Sequence, residues 1–261
     1  MAKNYALTWD PAAVTVQPFV TGGLASYGIS STTLKLRDEF DGTAGSAVNT
    51  SIWNYGEFWN ALRWDAKVRD TNARLTGDGR VKLTITQANN GYGVELSSGW
   101  LESNQQFGPG TFFEWGGVIL DDGVGHGHAT VWTQTLNGMT DSGVTYPTPS
   151  DGCEVDFGEY APGFGYQTNI ISGGYGGNRH DSAIGFGTGS AAASHTYGLL
   201  WLPSGYYFFR DGTQHRSDLL SGGKFIGTNT DQVLRFVNEH DAGAGNECSA
   251  WADYARVWGV S

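Results

Sequence analysis

Apolar and polar residues alternate with period two in short runs along most of the chain. In "RVKLTITQ" (80–87), Val81, Leu83 and Ile85 alternate with Lys82, Thr84 and Thr86, the pattern of a strand with one face in a core and the other in water. The preceding "TGDG" (76–79) has the residues of a tight hairpin turn. Further strands are predicted at 112–120, 128–136, 197–202, 206–212, 232–239 and 251–260, and Asp211-Gly212 marks a second turn. Helical periodicity is almost absent. Strands that follow one another without helices predict an all-β fold, an antiparallel two-sheet β-sandwich. No internal repeat stands out, and no Pro-rich or charged linker divides the chain. Residues 1–34, small and polar with a weak strand at "AVTVQPFV", read as an N-terminal extension of a domain spanning 35–261. The Gly-rich stretches "GFGYQTNIISGGYGGNRH" (163–180) and "GFGTGSAAASH" (185–195) read as long loops beside a binding site.

Composition narrows the partners. Of 261 residues only 16% are charged and 13% are aromatic, which is the opposite of a disorder signature. The formal net charge is −11 and Lys and Arg form no cluster, so nucleic acid is not an expected partner. A polyanionic polysaccharide is disfavoured for the same reason. No apolar run approaches the roughly 20 residues of a membrane helix. The N-terminal "MAKNYALTWDPAAV" lacks an apolar core of signal-peptide type. Cys153 and Cys248 fit no metal spacing and are either a disulfide or two buried thiols.

The densest chemistry lies in "CEVDFGEY" (153–160), where Glu154, Asp156 and Glu159 fall within six residues. On a strand, Glu154 and Asp156 share a face by alternation. Glu159 is five positions after Glu154, which in an unbroken strand puts it on the opposite face. One extra residue, a β-bulge at Phe157-Gly158, brings it back. Three like charges on one sheet face repel one another. Three readings fit the spacing: a solvated face, a Ca²⁺ site, or a catalytic set. Glycosidases need one ionised carboxylate and one carboxylic acid, about 5–5.5 Å apart in retaining enzymes.

"EVDFGE" resembles the E-[ILV]-D-x-x-E signature of glycoside hydrolase family 16, in the form with an extra residue before the last Glu that laminarinases and agarases carry. Further stretches follow in the family's order: "LRDEFDGT" (36–43), "GWLESNQQFGPGTFFEW" (99–115), "HATVWT" (128–133), "SHTYGLLWLPSGYYFFRDG" (194–212) and "WADYARVWG" (251–259). The resemblance covers most of the chain from about residue 36. It implies a concanavalin-like β-jelly roll with a concave substrate cleft and a retaining endo-glycosidase that cuts internal β-1,3 or β-1,4 linkages of a β-glucan or β-galactan. Glu154 would be the nucleophile, Glu159 the general acid and base, and Asp156 the group between them that tunes the nucleophile. Trp132 matches the tryptophan that floors the cleft, a flat partner for a sugar ring.

Trp59 and Trp64, with Trp100 and Trp115 behind them, are candidate walls of the cleft, and His128 and His126 are near enough in sequence to reach it. His195, Tyr197 and Trp201 match a family motif with mainly structural or cleft-edge roles. The resemblance also implies a structural Ca²⁺ away from catalysis, with Glu39, Asp253 and the backbone near Gly79 in matching places, and no cofactor for the chemistry itself. The implied partner is a polysaccharide or oligosaccharide, met by a monomer outside the cell, with a phage particle or an intracellular pool as the other settings. Around the groove the chain departs from the family. No His follows the catalytic strand until His180, "FFEWGG" lacks the Arg of "F-E-x-R", and "GHGHAT" replaces "W-P-A". A sugar-binding, lectin-like protein and a transglycosylase are the rival readings on the same fold.

Overall fold

The alternation read from the sequence becomes strands in the computed structural model, which describes residues 33–55, 62–63, 66–89, 94–119, 127–135, 153–161, 165–172, 180–185, 193–219, 231–240 and 249–260. In chain order the strands are β1 (Leu34–Asp38), β2 (Trp53–Asn54), β3 (Leu62–Arg63), β4 (Ala66–Val68), β5 (Ala73–Leu75), β6 (Val81–Thr84), β7 (Thr86–Asn89), β8 (Val94–Phe107), β9 (Thr111–Val118) and β10 (Gly127–Thr135). They continue with β11 (Cys153–Ala161), β12 (Gly165–Ser172), β13 (His180–Asp181), β14 (Ile184–Gly185), β15 (His195–Leu202), β16 (Gly205–Arg210), β17 (Thr213–Leu219), β18 (Gln232–His240) and β19 (Ser249–Gly259).

Two sheets form from them. The smaller runs β17-β16-β15-β9-β19-β6-β5, with β1 also on β19. The larger runs β13-β12-β11-β10-β18-β8-β4-β3, with β14 on β12 and both β2 and β7 on β8. Among the described strands, pairing is antiparallel except between β4 and β8. This is the expected jelly-roll β-sandwich. The two predicted turns are present: Thr76 N donates to Arg80 O at 2.9 Å across the β5–β6 hairpin, and Asp211 and Gly212 both adopt positive φ between β16 and β17.

The core lies between the sheets. Trp115 of β9 meets Phe236 of β18 with ring centres 4.8 Å apart, and Phe107 of β8 meets Phe113 of β9 at 5.4 Å. The sheets are also tied at their edge. The Trp53 indole donates to Asp38 Oδ2 at 2.7 Å, which links β2 of the larger sheet to β1 of the smaller.

Two expectations need correction. The single strand at 80–87 is two, because the chain passes from one sheet to the other at the buried Ile85. The stretch 163–180 is not simply a loop, because Gly165–Ser172 forms β12 beside β11. Its alternation of Tyr166, Thr168 and Ile170 inward against Gln167, Asn169 and Ile171 is regular, but glycines on both sides obscure it in the sequence. Residues 1–32, the bulk of the expected extension, lie outside the described residues.

Candidate active site

Strand β11 has one apolar face and one acidic face. Cys153, Val155 and Phe157 join the core between the sheets, which leaves Glu154 and Asp156 on the outer face of the larger sheet. The expected bulge is at Phe157-Gly158. Val131 of β10 pairs with Gly158, yet the next residue, Trp132, pairs with Asp156. On the other side Asp156 pairs with Asn169 and Glu159 with Gln167. Phe157 and Gly158 therefore both face the core, and Glu159 returns to the face of Glu154 and Asp156. Gly158 is needed there for space, because a Cβ would lie 2.8 Å from the Tyr197 ring of the opposite sheet and 2.8 Å from Val131 Cγ1.

The acids have different partners. Gln134, directly opposite Glu154 on β10, donates from Nε2 to Glu154 Oε2 at 2.9 Å. Glu159 is held at both oxygens: Gln167 Nε2 donates to Oε2 at 2.8 Å, and His128 Nε2 lies 2.6 Å from Oε1. One proton bridges that last contact, given by the imidazole to the carboxylate or by the carboxylic acid to a bare ring nitrogen. Glu154, Asp156 and Glu159 are only 8%, 3% and 7% exposed, which excludes a solvated acidic face. Among the described residues no group of three or more His, Cys, Asp or Glu is placed to hold a metal ion.

Asp156 also begins a row across the sheet. Asp156, Trp132, Arg235, Glu102 and Asn54 are successive partners on β11, β10, β18, β8 and β2. Trp132 lies beside the acids, edge-on to Trp100 with ring centres 5.7 Å apart. It is 2% exposed, so in this conformation it is a covered ring rather than an open floor. Trp100 is packed with it and Trp115 is in the core, which removes both as walls of a cleft. Trp59, Trp64 and His126 lie outside the described residues. Tyr197 and Trp201 are core residues, and His195 donates or accepts at Asp211 Oδ2, 2.7 Å away, at the edge of the smaller sheet.

Of the residues expected to hold Ca²⁺, the Glu39 carboxylate does not fit one. Glu39 accepts at Oε1 from Arg37 Nε (3.0 Å) and Arg256 Nε (2.9 Å), and at Oε2 from Arg256 Nη2 (2.9 Å). Burial raises the proton affinity of Glu39, but these hydrogen bonds outweigh it and hold the pKa below the ordinary value. A carboxylate faced on both oxygens by guanidinium groups has its lone pairs taken and repels a cation. Asp253 is half-buried, accepts from Ser194 Oγ at 3.4 Å, and is pushed up by burial despite Arg80 nearby. Cys153 is a free buried thiol, driven to about 12 by burial; Cys248 lies outside the described residues.

Sequence reasoning missed Gln134, Gln167, Arg235 and Glu102. Gln134 was legible as the next outward position after Trp132 on β10. Arg235 was legible as a lone charge in the middle of the apolar run "QVLRFV".

No protein-family model matches the chain. No curated protein matches it either. Solved structures do. An immunostimulatory antigen and pseudo β-1,3-glucanase of Mycobacterium tuberculosis is 20% identical, with a TM-score of 0.68 over 88% of this chain and 100% of that one. An endo-β-1,3-glucanase from Pyrococcus furiosus is 17% identical, with a TM-score of 0.67 over 87% of this chain and 94% of that one. A β-glucanase of Bacillus licheniformis is 18% identical, with a TM-score of 0.62 over 85% and 97%. The chain has the jelly-roll fold of these β-glucanases and of family 16 glycoside hydrolases.

Proposed function

We propose that the protein is a retaining endo-β-glycosidase that cleaves internal β-1,3 or β-1,4 linkages of a β-glucan or β-galactan by double displacement. The observation that carries this is the separate anchoring of two glutamates on one face, Glu154 by Gln134 and Glu159 by His128 and Gln167, with Asp156 between them. In this reading Glu154 attacks the anomeric carbon and forms a glycosyl-enzyme bond while Glu159 gives its proton to the leaving oxygen. Glu159 then takes a proton from water, which attacks the same carbon and releases the sugar with its configuration retained. Gln134 keeps one Glu154 oxygen occupied and so directs the other toward the sugar. His128 and Gln167 fix the plane of the Glu159 carboxyl group through both steps.

Fold likeness to glucanases supports the reading only as far as architecture, since a pseudo-glucanase has the same fold. A second reading, a protein that binds glycans without cutting them, draws on that neighbour and on the covered Trp132. Incubation with a panel of β-glucans, agar, carrageenan and other galactans separates the two. New reducing ends, formed first as the β anomer in NMR, support the enzyme. Binding without new ends on any polymer supports the second reading, and an α product overturns the double displacement.

A further inference from the structure

On the outer face of the larger sheet, two strands from Asp156, lies an ion pair sealed from water. Arg235 is 1% exposed and Glu102 is 3% exposed. Glu102 Oε2 accepts from Arg235 Nε at 2.7 Å and approaches Nη2 at 2.6 Å, and Asn54 Nδ2 donates to Glu102 Oε1 at 3.1 Å. The guanidinium carbon lies 5.0 Å from the Trp132 ring centre and 5.4 Å from that of Trp100. Removing two charges from water is costly, and apolar side chains of the same volume commonly stabilise as well. Packing alone therefore does not account for an arginine here. Its planar fork does something an apolar chain cannot: held at two nitrogens by one carboxylate, it presents a flat group of fixed orientation to an indole.

We propose that Arg235, locked by Glu102, is a positioning residue that sets the plane of the covered Trp132 ring beside Asp156 and so shapes the packed layer that borders the sugar site. The proposal rests on the reading of the site as a glycan cleft. The fixing runs inward from the sheet edge: Asn54 orients Glu102, Glu102 orients Arg235, and Arg235 bears on Trp132, whose strand partner is Asp156. Glu102 has a second effect. It neutralises a charge on a strand two spacings from that of Asp156, about 10 Å between the backbones, and so limits the pull of that charge on the acids.

The test uses the full chain labelled with ¹⁵N. Its ten tryptophans give up to ten indole N–H signals, and Trp132→Phe assigns the one that matters. In Arg235→Met, an apolar chain of similar length, the Trp132 signal is expected to shift or broaden while the signal of Trp53, tied to Asp38 at the edge of the sheets, stays in place. Arg235→Lys should recover part of the shift, and Glu102→Gln should fall between. On the polymer that the wild type cleaves, Arg235→Met should lose at least tenfold in kcat/KM, with Arg235→Lys regaining part of it. An unmoved Trp132 signal in Arg235→Met overturns the proposal. So does a shift shared equally with Trp53, or a lysine variant no better than the methionine one. If the wild type neither cuts nor binds any glycan of the panel, the glycosidase reading fails, while the indole signals still decide whether Arg235 sets the ring.

Discussion

Arg256 in the smaller sheet and Arg235 in the larger one both reach a glutamate on a face turned away from the core. Around Arg256 the row across the sheet runs Gly198, Glu114, Arg256, Arg37, on β15, β9, β19 and β1. Its guanidinium binds both oxygens of Glu39, stands 3.5 Å from the buried Glu114, and lies over the Tyr254 ring at 3.9 Å. That row is closed, because its charges answer one another. The row through Arg235 is different. It runs from the Glu102–Arg235 pair through the Trp132 indole to Asp156, which stands between Glu154 and Glu159 on β11. Burial of charge is therefore not in itself the mark of a site. What distinguishes the acidic end of the larger sheet is that Glu154 and Glu159 are held by neutral amides and an imidazole, whereas guanidinium groups hold the Glu39 carboxylate in its ionised form.

This comparison predicts that changes around the acids of β11 cost activity and changes around Arg256 cost stability. The largest effect belongs to Glu154→Gln. Loss of the proposed nucleophile should lower kcat by roughly 10⁴- to 10⁶-fold, with the thermal midpoint and oligosaccharide affinity nearly unchanged. Near wild-type turnover would remove Glu154 from its role. Next come the groups that hold Glu159. Gln167→Ala and His128→Ala each leave the acid in place but free to turn, and a small misplacement of a catalytic group costs roughly 10- to 100-fold. The loss should appear in kcat rather than KM, measured on the best polymer of the panel. A pure KM effect would make both residues sugar contacts instead.

The sequence held more of the strand pattern than of the site. The apolar runs placed β9, β10, β15, β16, β18 and β19 almost where they lie, because each puts alternate side chains into the core between the sheets. The bulge was legible too, since five positions between Glu154 and Glu159 admit a shared face only if one residue is added. Gln167 was hidden for a local reason: glycines on both sides of β12 dilute its alternation, so the strand that supports Glu159 read as a loop. The Glu102–Arg235 pair was hidden for a general one. The two residues are 133 positions apart, and no local pattern states which strands will be neighbours. Glu39 failed as a cation ligand for the same reason, since Arg256 reaches it from 217 positions away.

Gly158 tests whether the bulge itself aims the acid. In Gly158→Ala the new methyl group would meet Tyr197 and Val131 at 2.8 Å, an overpacking that costs about 1–3 kcal/mol. The midpoint should fall by several degrees, since about 1 kcal/mol moves a domain of this size by roughly 2–4 °C. Because relief of the clash must shift β11, kcat should fall as well, and it should stay low at temperatures where circular dichroism shows the variant fully folded. Full activity in the folded variant would mean that Glu159 keeps its aim without the glycine.

The smallest effect is expected around Arg256, from Glu39→Gln. The glutamine keeps the shape of the side chain and loses the charge that answers Arg37 and Arg256. For a partly exposed carboxylate this should cost about 1–2 kcal/mol near neutral pH, without any change in kcat or KM. Its pH dependence follows from the direction of the shift. Burial raises the Glu39 pKa, and the Arg256 and Arg37 hydrogen bonds more than reverse that, leaving it below 4.5 in the folded protein. The stabilisation is then fully present above about pH 4.5 and disappears as the pH falls through the lower folded value. Thermal unfolding of wild type and Glu39→Gln should show a constant gap at neutral pH that closes only in acid. A gap that widens in acid would reverse the sign of the coupling. A loss of kcat at neutral pH, with the fold intact, would end the separation between the stabilising groups around Arg256 and the working acids of β11.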